Sequence, residues 1–126
     1  MAIKDFRDLE IWKRGMAIVE EIYSSTRAFP KEELFGLTAQ IRKSAVSIPS
    51  NIAEGFARSS NREFRQFLFF TLGSCAEATT QLMIASKLKY INENKSQVFI
   101  ENLNILSKMT MSLIKKLKEN KLATSD

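Results

Sequence analysis

One apolar stripe in this chain runs through a proline without losing step. Leu34, Leu37, Ile41, Ala45, Ile48, Ile52 and Phe56 recur every three or four residues, the spacing of one face of an α-helix. Pro49 lies inside that run. A loop at the proline would shift the phase of everything after it. The phase holds, so the spacing predicts one long helix, bent at Pro49 rather than ended there. Any fold for this chain must therefore house a long helix with a proline in its middle.

The flanking segments carry the same period. Leu9, Trp12, Met16, Val19 and Tyr23 form one stripe, and Ile11, Gly15, Ile18 and Ile22 form a second on another face. The first helix is expected from about Asp8 to Arg27. "AFPKEEL" breaks the run, and Pro30, Glu32 and Glu33 suit the first turn of the second helix. Gly55 loosens that helix near its end. Ser60-Asn61-Arg62-Glu63 fits a capping box and starts the third. "INENKSQ" supplies the last turn, with Ser96 or Asn94 as candidate caps for the fourth. There Phe99, Leu103, Leu106, Thr110, Leu113 and Leu117 make the main stripe.

With only 4 Gly and 2 Pro in 126 residues, connections are short. Sustained period-two alternation is absent. The expected architecture is all-α: one domain over residues 1–126, folded as an antiparallel up-down-up-down four-helix bundle. Residues 1–7 and 120–126 are expected to fray.

The third helix has too much to bury. Phe64, Phe67, Leu68, Phe69, Phe70 and Leu72 fall within nine residues and point almost all round the axis. A helix apolar on every side needs cover on every side. Phe69 and Phe70 are therefore expected to meet another subunit, with a wide intramolecular core as the alternative.

Several functions are disfavoured by what is missing. With no histidine, the commonest general base and zinc ligand is gone, as are the Glu-x-x-His pairs of di-iron bundles. One cysteine, Cys75, excludes an intramolecular disulfide and multi-cysteine zinc sites, and its apolar setting reads as a buried structural thiol. Ser112 to Lys115 matches S-x-x-K only as such spacings do by chance on a basic helix. There is no G-x-S-x-G, Walker loop or G-x-G-x-x-G. No catalytic residue, metal site or cofactor is expected. No secretion signal or long uncharged apolar run stands out, so the expectation is a cytoplasmic protein without a membrane segment.

What remains is a polar stripe and a basic surface. Ser47, Asn51, Glu54 and Arg58 step along the second helix, with Glu54 and Arg58 at i,i+4 spacing. Pro49 donates no N–H, so the Ala45 carbonyl loses its helical partner, and Ser50 or Asn51 is placed to help. The stripe is either a specific packing site or a binding surface, and local physics favours packing. Arg42, Lys43, Arg58, Arg62 and Arg65 make five basic residues against two acidic ones, Glu54 and Glu63, between Ile41 and Gln66. Arginine forks suit phosphate. The net charge is +5 with a pI near 9.5, which permits attraction to nucleic acid. A charge run is also often only a solvated face.

"DLEIWKRGM", "FPKEELFGLTAQIRKSAVSIPSNIAEG", "GSCAEATTQL" and "LIKKLK" resemble the four-helix bundle proteins encoded within intervening sequences of bacterial 23S rRNA genes. The resemblance covers nearly the whole chain and is most specific from Phe35 to Gly55, followed by Arg58. It implies a four-helix bundle assembled as a homopentameric ring, and kinship with basic accessory proteins of diversity-generating retroelements. No catalytic residues come with it. By position it points to Gln40, Arg42, Lys43, Ser47, Pro49, Asn51, Glu54, Gly55 and Arg58. From the third helix it adds Gly73, Ser74, Glu77 and Gln81. Thr79 stands where the family often has a second acid, which puts any two-acid site on that helix in doubt.

These readings converge on a non-enzymatic homo-oligomer that binds nucleic acid, RNA in the first place, or a ribonucleoprotein. Arg42, Lys43, Arg58, Arg62 and Arg65 are its candidate contacts. The alternative is a protein-interaction scaffold whose basic surface meets an acidic partner.

Overall fold

The computed structural model describes residues 3–119. Four helices account for most of them: α1 (Glu10–Thr26), α2 (Leu37–Phe56), α3 (Asn61–Lys87) and α4 (Glu93–Glu119). Short 3₁₀ turns at Phe6–Asp8 and Lys31–Glu33 precede α1 and α2, and no strand occurs among the described residues. The expected all-α four-helix fold is what forms.

Each helix packs on its sequence neighbour, and α4 closes back onto α1. Contacts fix the directions. Gly15 of α1 lies against Pro49 in the second half of α2, while Arg42 near the start of α2 reaches Thr26 at the end of α1. Ser44 of α2 bonds Gln81 late in α3, and Gly55 abuts Phe64 and Phe67 early in α3. Ser96 reaches back to the Leu82 carbonyl, and Arg65 meets the Leu117 carbonyl. Ile22, Ile41, Ile48, Ile52, Leu68, Leu82, Leu103 and Leu106 are fully buried between the four helices.

Helix α2 continues through Pro49, whose ring is buried. The reason it fits is on α1. A Cβ at Gly15 would stand 3.2 Å from Ile48 and 3.3 Å from the Pro49 ring, so α1 crosses here because residue 15 has no side chain. That crossing selects the α1 face. Ile11, Gly15, Ile18 and Ile22 are buried, whereas Met16 and Tyr23 of the other stripe stay exposed.

Several local expectations shift. Pro30 does not open α2. It precedes the Lys31–Glu33 turn, and the helix proper starts at Leu37. Gly36, at φ −110° and ψ −114°, breaks the regular helix between them and leaves Leu34 exposed. Glu33 then caps α2, accepting from the Leu37 N–H at 3.0 Å and from the Tyr90 hydroxyl at 3.0 Å. The cap of α4 is Asn92, which accepts from the Asn94 N–H at 2.8 Å, not Asn94 or Ser96; Ser96 is buried. Asn51 donates to the Ser47 carbonyl at 2.9 Å, not to that of Ala45. The capping box forms as read, with the Glu63 N–H donating to Ser60 Oγ at 3.1 Å. Of the ends expected to fray, 1–2 and 120–126 lie outside the described residues. Within the remainder, Asp5 caps the Phe6–Asp8 turn, held well below the usual carboxylate range, at about 2, by the Arg7 guanidinium that hydrogen-bonds it.

Two glycine-related positions give opposite expectations. A Cβ at Gly55 would lie 2.7 Å from Phe67 Cβ, a neighbour too close to the backbone to swing aside. Gly55→Ala should destabilise by about 1–3 kcal/mol in urea unfolding despite its better helix propensity. Lys89 holds φ 64° in the turn after α3, and the Tyr90 N–H bonds the Ala85 carbonyl across it, the geometry that favours glycine. Lys89→Gly should raise stability by up to about 1 kcal/mol. Cys75 is buried, and burial pushes its thiol up, opposed only in part by a hydrogen bond with Ser107. Thiol reagents at neutral pH should modify it at the rate of unfolding, with rapid labelling only in denaturant.

Candidate functional site

The polar stripe of α2 and the outer face of α3 form one surface. At its upper end Gln40 shares a shallow depression with Ala76, Glu77, Thr80, Gln81 and Ile84. Ser44 donates to Gln81 Oε1 at 2.9 Å, which ties the two helices. Ser47 spends its hydroxyl on the Lys43 carbonyl at 2.9 Å. Within the stripe, Ser47 and Asn51 each bond a carbonyl four residues back on α2 itself; the bond between helices is that of Ser44, beside the stripe.

Further along, the stripe becomes charged and aromatic. Arg58 pairs with Glu54 at 2.8 Å and its guanidinium carbon sits 4.7 Å from the centre of the Phe67 ring. Phe67 meets Phe70 edge-on at 5.4 Å. The chain turns between α2 and α3 because Gly55 lets Phe64 and Phe67 close over it. Phe69 and Phe70 are 51% and 47% exposed in the single chain, so the intramolecular core does not cover them. Between Gln66 and Ser86 the sequence carries a single charge, Glu77. The exposed face of α3 is therefore apolar or uncharged over most of its length. By length and composition α3 could cross a membrane, with a mean hydropathy of 1.2 over 18 residues, yet 33% of that window is buried inside the bundle.

The five basic candidates do not make one patch. Arg42 faces α1: its Nε donates to Thr26 Oγ1 at 2.9 Å and its guanidinium stacks on Tyr23 at 4.7 Å. Lys43 is exposed beside it. Both sit 15 or 16 positions before Arg58, about 24 Å along a helix. Arg58, Arg62 and Arg65 gather instead at the α2–α3 corner, where Arg65 donates to the Leu117 carbonyl at 3.4 Å and Asn61 does so at 3.5 Å. These bonds bring the end of α4 to the start of α3. Lys115, Lys116 and Lys118, which flank Leu117, therefore stand beside the arginines. Six cations share this end of the bundle with Glu54, Glu63 and Glu119. Lysines in a last helical turn also complement the helix dipole; only the packing of α4 on α3 joins them to the arginines.

Phe35 is 93% exposed on the turn fixed by Glu33, with the Gly36 N–H donating to the Glu33 carbonyl at 2.9 Å. No group of histidines, cysteines or acids spaced to hold a metal occurs among the described residues.

A solved structure described as a protein with unknown function from the S23 ribosomal protein family of Bacteroides thetaiotaomicron has the same fold, with a TM-score of 0.75 over 83% of this chain and 98% of that one, at 21% identity. No curated protein matches. The family model described as 23S rRNA-intervening sequence protein matches residues 7–112. With that match spanning all of α1, α2 and α3 and most of α4, the chain belongs to the 23S rRNA-intervening sequence protein family.

Proposed function

We propose that this protein is a non-enzymatic, cytoplasmic subunit of a homopentameric ring that binds RNA through the basic end of its bundle. The observation that carries the reading is the convergence of Arg58, Arg62 and Arg65 with Lys115, Lys116 and Lys118, joined by the Arg65 to Leu117 bond. Six cations against three acids at one end offer several phosphate contacts at once. A ring repeats a weak patch around its axis and multiplies its affinity without new contacts. The family's link to rRNA genes makes RNA the first ligand to try.

Assembly would use the face that a single chain leaves uncovered. Phe69 and Phe70 lie on the uncharged side of α3, and burying one phenylalanine side chain stabilises by roughly 1.5–3 kcal/mol. A bend of α2 at Pro49 would aim its two halves at different neighbours, the bundle core and the adjacent subunit. The basic end would then border the contact and recur in every subunit.

Two experiments test this. Binding of single-stranded RNA should weaken steeply with salt, with log K falling by about 0.7 per contacted phosphate for each unit of log salt. Arg62→Glu with Lys116→Glu should flatten that slope and Arg42→Gln should not; absence of binding at low salt would refute the RNA reading. A partner protein that stays bound after nuclease treatment would favour a scaffold. Light scattering should give the mass of an oligomer for the native chain and a lower mass for Phe69→Ser with Phe70→Ser. A monomeric native protein would refute the ring, and an unchanged mass in a folded double variant would place its interface elsewhere.

A further inference from the structure

A second apolar surface lies open on the single chain, besides the outer face of α3. A groove of about 340 Å³ runs between α1 and α2, lined by Trp12, Met16, Val19, Val46, Pro49 and Ala53, with no charged residue in its wall. Met16 and Val46 are exposed there. An apolar cavity of roughly 150 Å³ holds one benzene ring, so the groove has room for two phenyl rings. Phe69 and Phe70 are two such rings without cover. They stand on α3, outside the groove of their own chain.

Helix register sets the rings and the groove at one height. Gly55 meets Phe64 and Phe67, and Ser44 meets Gln81. Helices α2 and α3 are therefore antiparallel, with Phe69 and Phe70 level with the turn of α2 that holds Ala53. Gly15 meets Ile48 and Pro49, so Trp12, one turn earlier on α1, is level with that same turn. Rotation about an axis along the bundle preserves height. It carries Phe69 and Phe70 of one copy to Trp12 and Ala53 of the next without sliding one chain past the other. The sides also suit a ring. Phe70 lies two turns before Glu77 on one face of α3, and Glu77 shares a depression with Gln40 of α2. This face and the α1–α2 groove thus flank α2 on adjacent sides of the bundle. Head-to-tail contacts on adjacent sides curve a row of copies towards closure, whereas opposite sides would extend it in a line.

Charge agrees with this register. Glu77, the single charge between Gln66 and Ser86, and Lys43, one turn before Val46, are both exposed, and neither is ion-paired among the described residues. In such a ring the neighbour's α3 opposes α2 in direction. With Phe70 at Ala53, Glu77 falls beside Val46, about 10 Å further along, where the flexible stem of Lys43 reaches it. We propose that the α1–α2 groove of each subunit receives Phe69 and Phe70 of the next, with Lys43 against Glu77. This rests on the ring reading above and adds the receiving face. It gives the contact two unlike halves, each of which can be spoiled alone.

Two complementary variants of the full chain test it. Phe69→Ser with Phe70→Ser removes the rings and keeps the groove, whereas Val46→Glu puts a charge in the groove and keeps the rings. Each alone should be monomeric by light scattering. Mixed, they should form a pair with one chain of each kind and nothing larger, because each brings one sound half. Trp12, the single tryptophan, reports on the groove itself. Its emission should move to longer wavelength in the phenylalanine variant and move back on mixing with Val46→Glu. Met16→Glu, at another exposed position of the groove, replaces Val46→Glu if that chain is not helical by circular dichroism. A folded groove variant that keeps the native mass, while the phenylalanine variant loses it, would overturn the proposal and leave the ring standing. A mixture that forms no pair, or Trp12 emission indifferent to the phenylalanines, would overturn it as well. A monomeric native chain would refute ring and groove together.

Discussion

The crossing of α1 over α2 at Gly15 and Pro49 is the contact on which the rest of the bundle depends. A proline inside a helix gives up a hydrogen bond and normally bends or breaks it. Here the ring is buried and pressed against a glycine on the neighbouring helix. Had residue 15 any side chain, it would meet Ile48 and Pro49 at separations few Cβ atoms tolerate. The close crossing decides which of two apolar stripes on α1 enters the core. It also leaves Trp12, Met16 and Val19 along a groove with Val46, Pro49 and Ala53. An apolar surface thus remains on a second side of the molecule, besides that of α3.

Helix α3 shows what a small bundle does with surplus apolar residues. Its core side is supplied by Leu68, Cys75, Ala78, Leu82 and Ala85, a set that uses small residues to admit its neighbours. Four of its large side chains, Phe69, Phe70, Met83 and Ile84, stay outside. This inversion of size runs against the simplest expectation for a monomer, in which the largest apolar groups would be the most valuable to bury. It makes sense where the outer face has a further partner to meet.

The two ends of the bundle differ in the kind of charge they present. At one, cations of α3, α4 and the turn before α3 share an end of the bundle because Asn61 and Arg65 hold the end of α4. They are largely solvated and suit a long, mobile polyanion. At the other, Arg42 is immobilised by a hydrogen bond and an aromatic face, beside a buried hydroxyl. Arg42 and Arg58 stand 16 positions apart, about 24 Å at helical rise.

Sequence alone determined the number of helices, the passage of α2 through Pro49, the Ser60–Glu63 cap and the Glu54–Arg58 pair. Each is written in local spacing: a period of three to four residues, or a bond between residues three or four apart, needs no distant partner. It also marked Phe69 and Phe70 as surplus, because angular crowding on one helix can be counted along the chain. Tertiary structure decided the remainder. The choice of buried stripe on α1 turned on Gly15 meeting Pro49, and the exposure of Leu34 and Phe35 turned on Gly36 breaking the helix before Leu37. Which cations stand together depended on the packing of α4 against α3 and of α1 against α2. The buried, unpartnered Thr38 had no signal in the sequence at all. A helical period says which residues share a face, but which face meets which neighbour is settled only when several helices compete for one core.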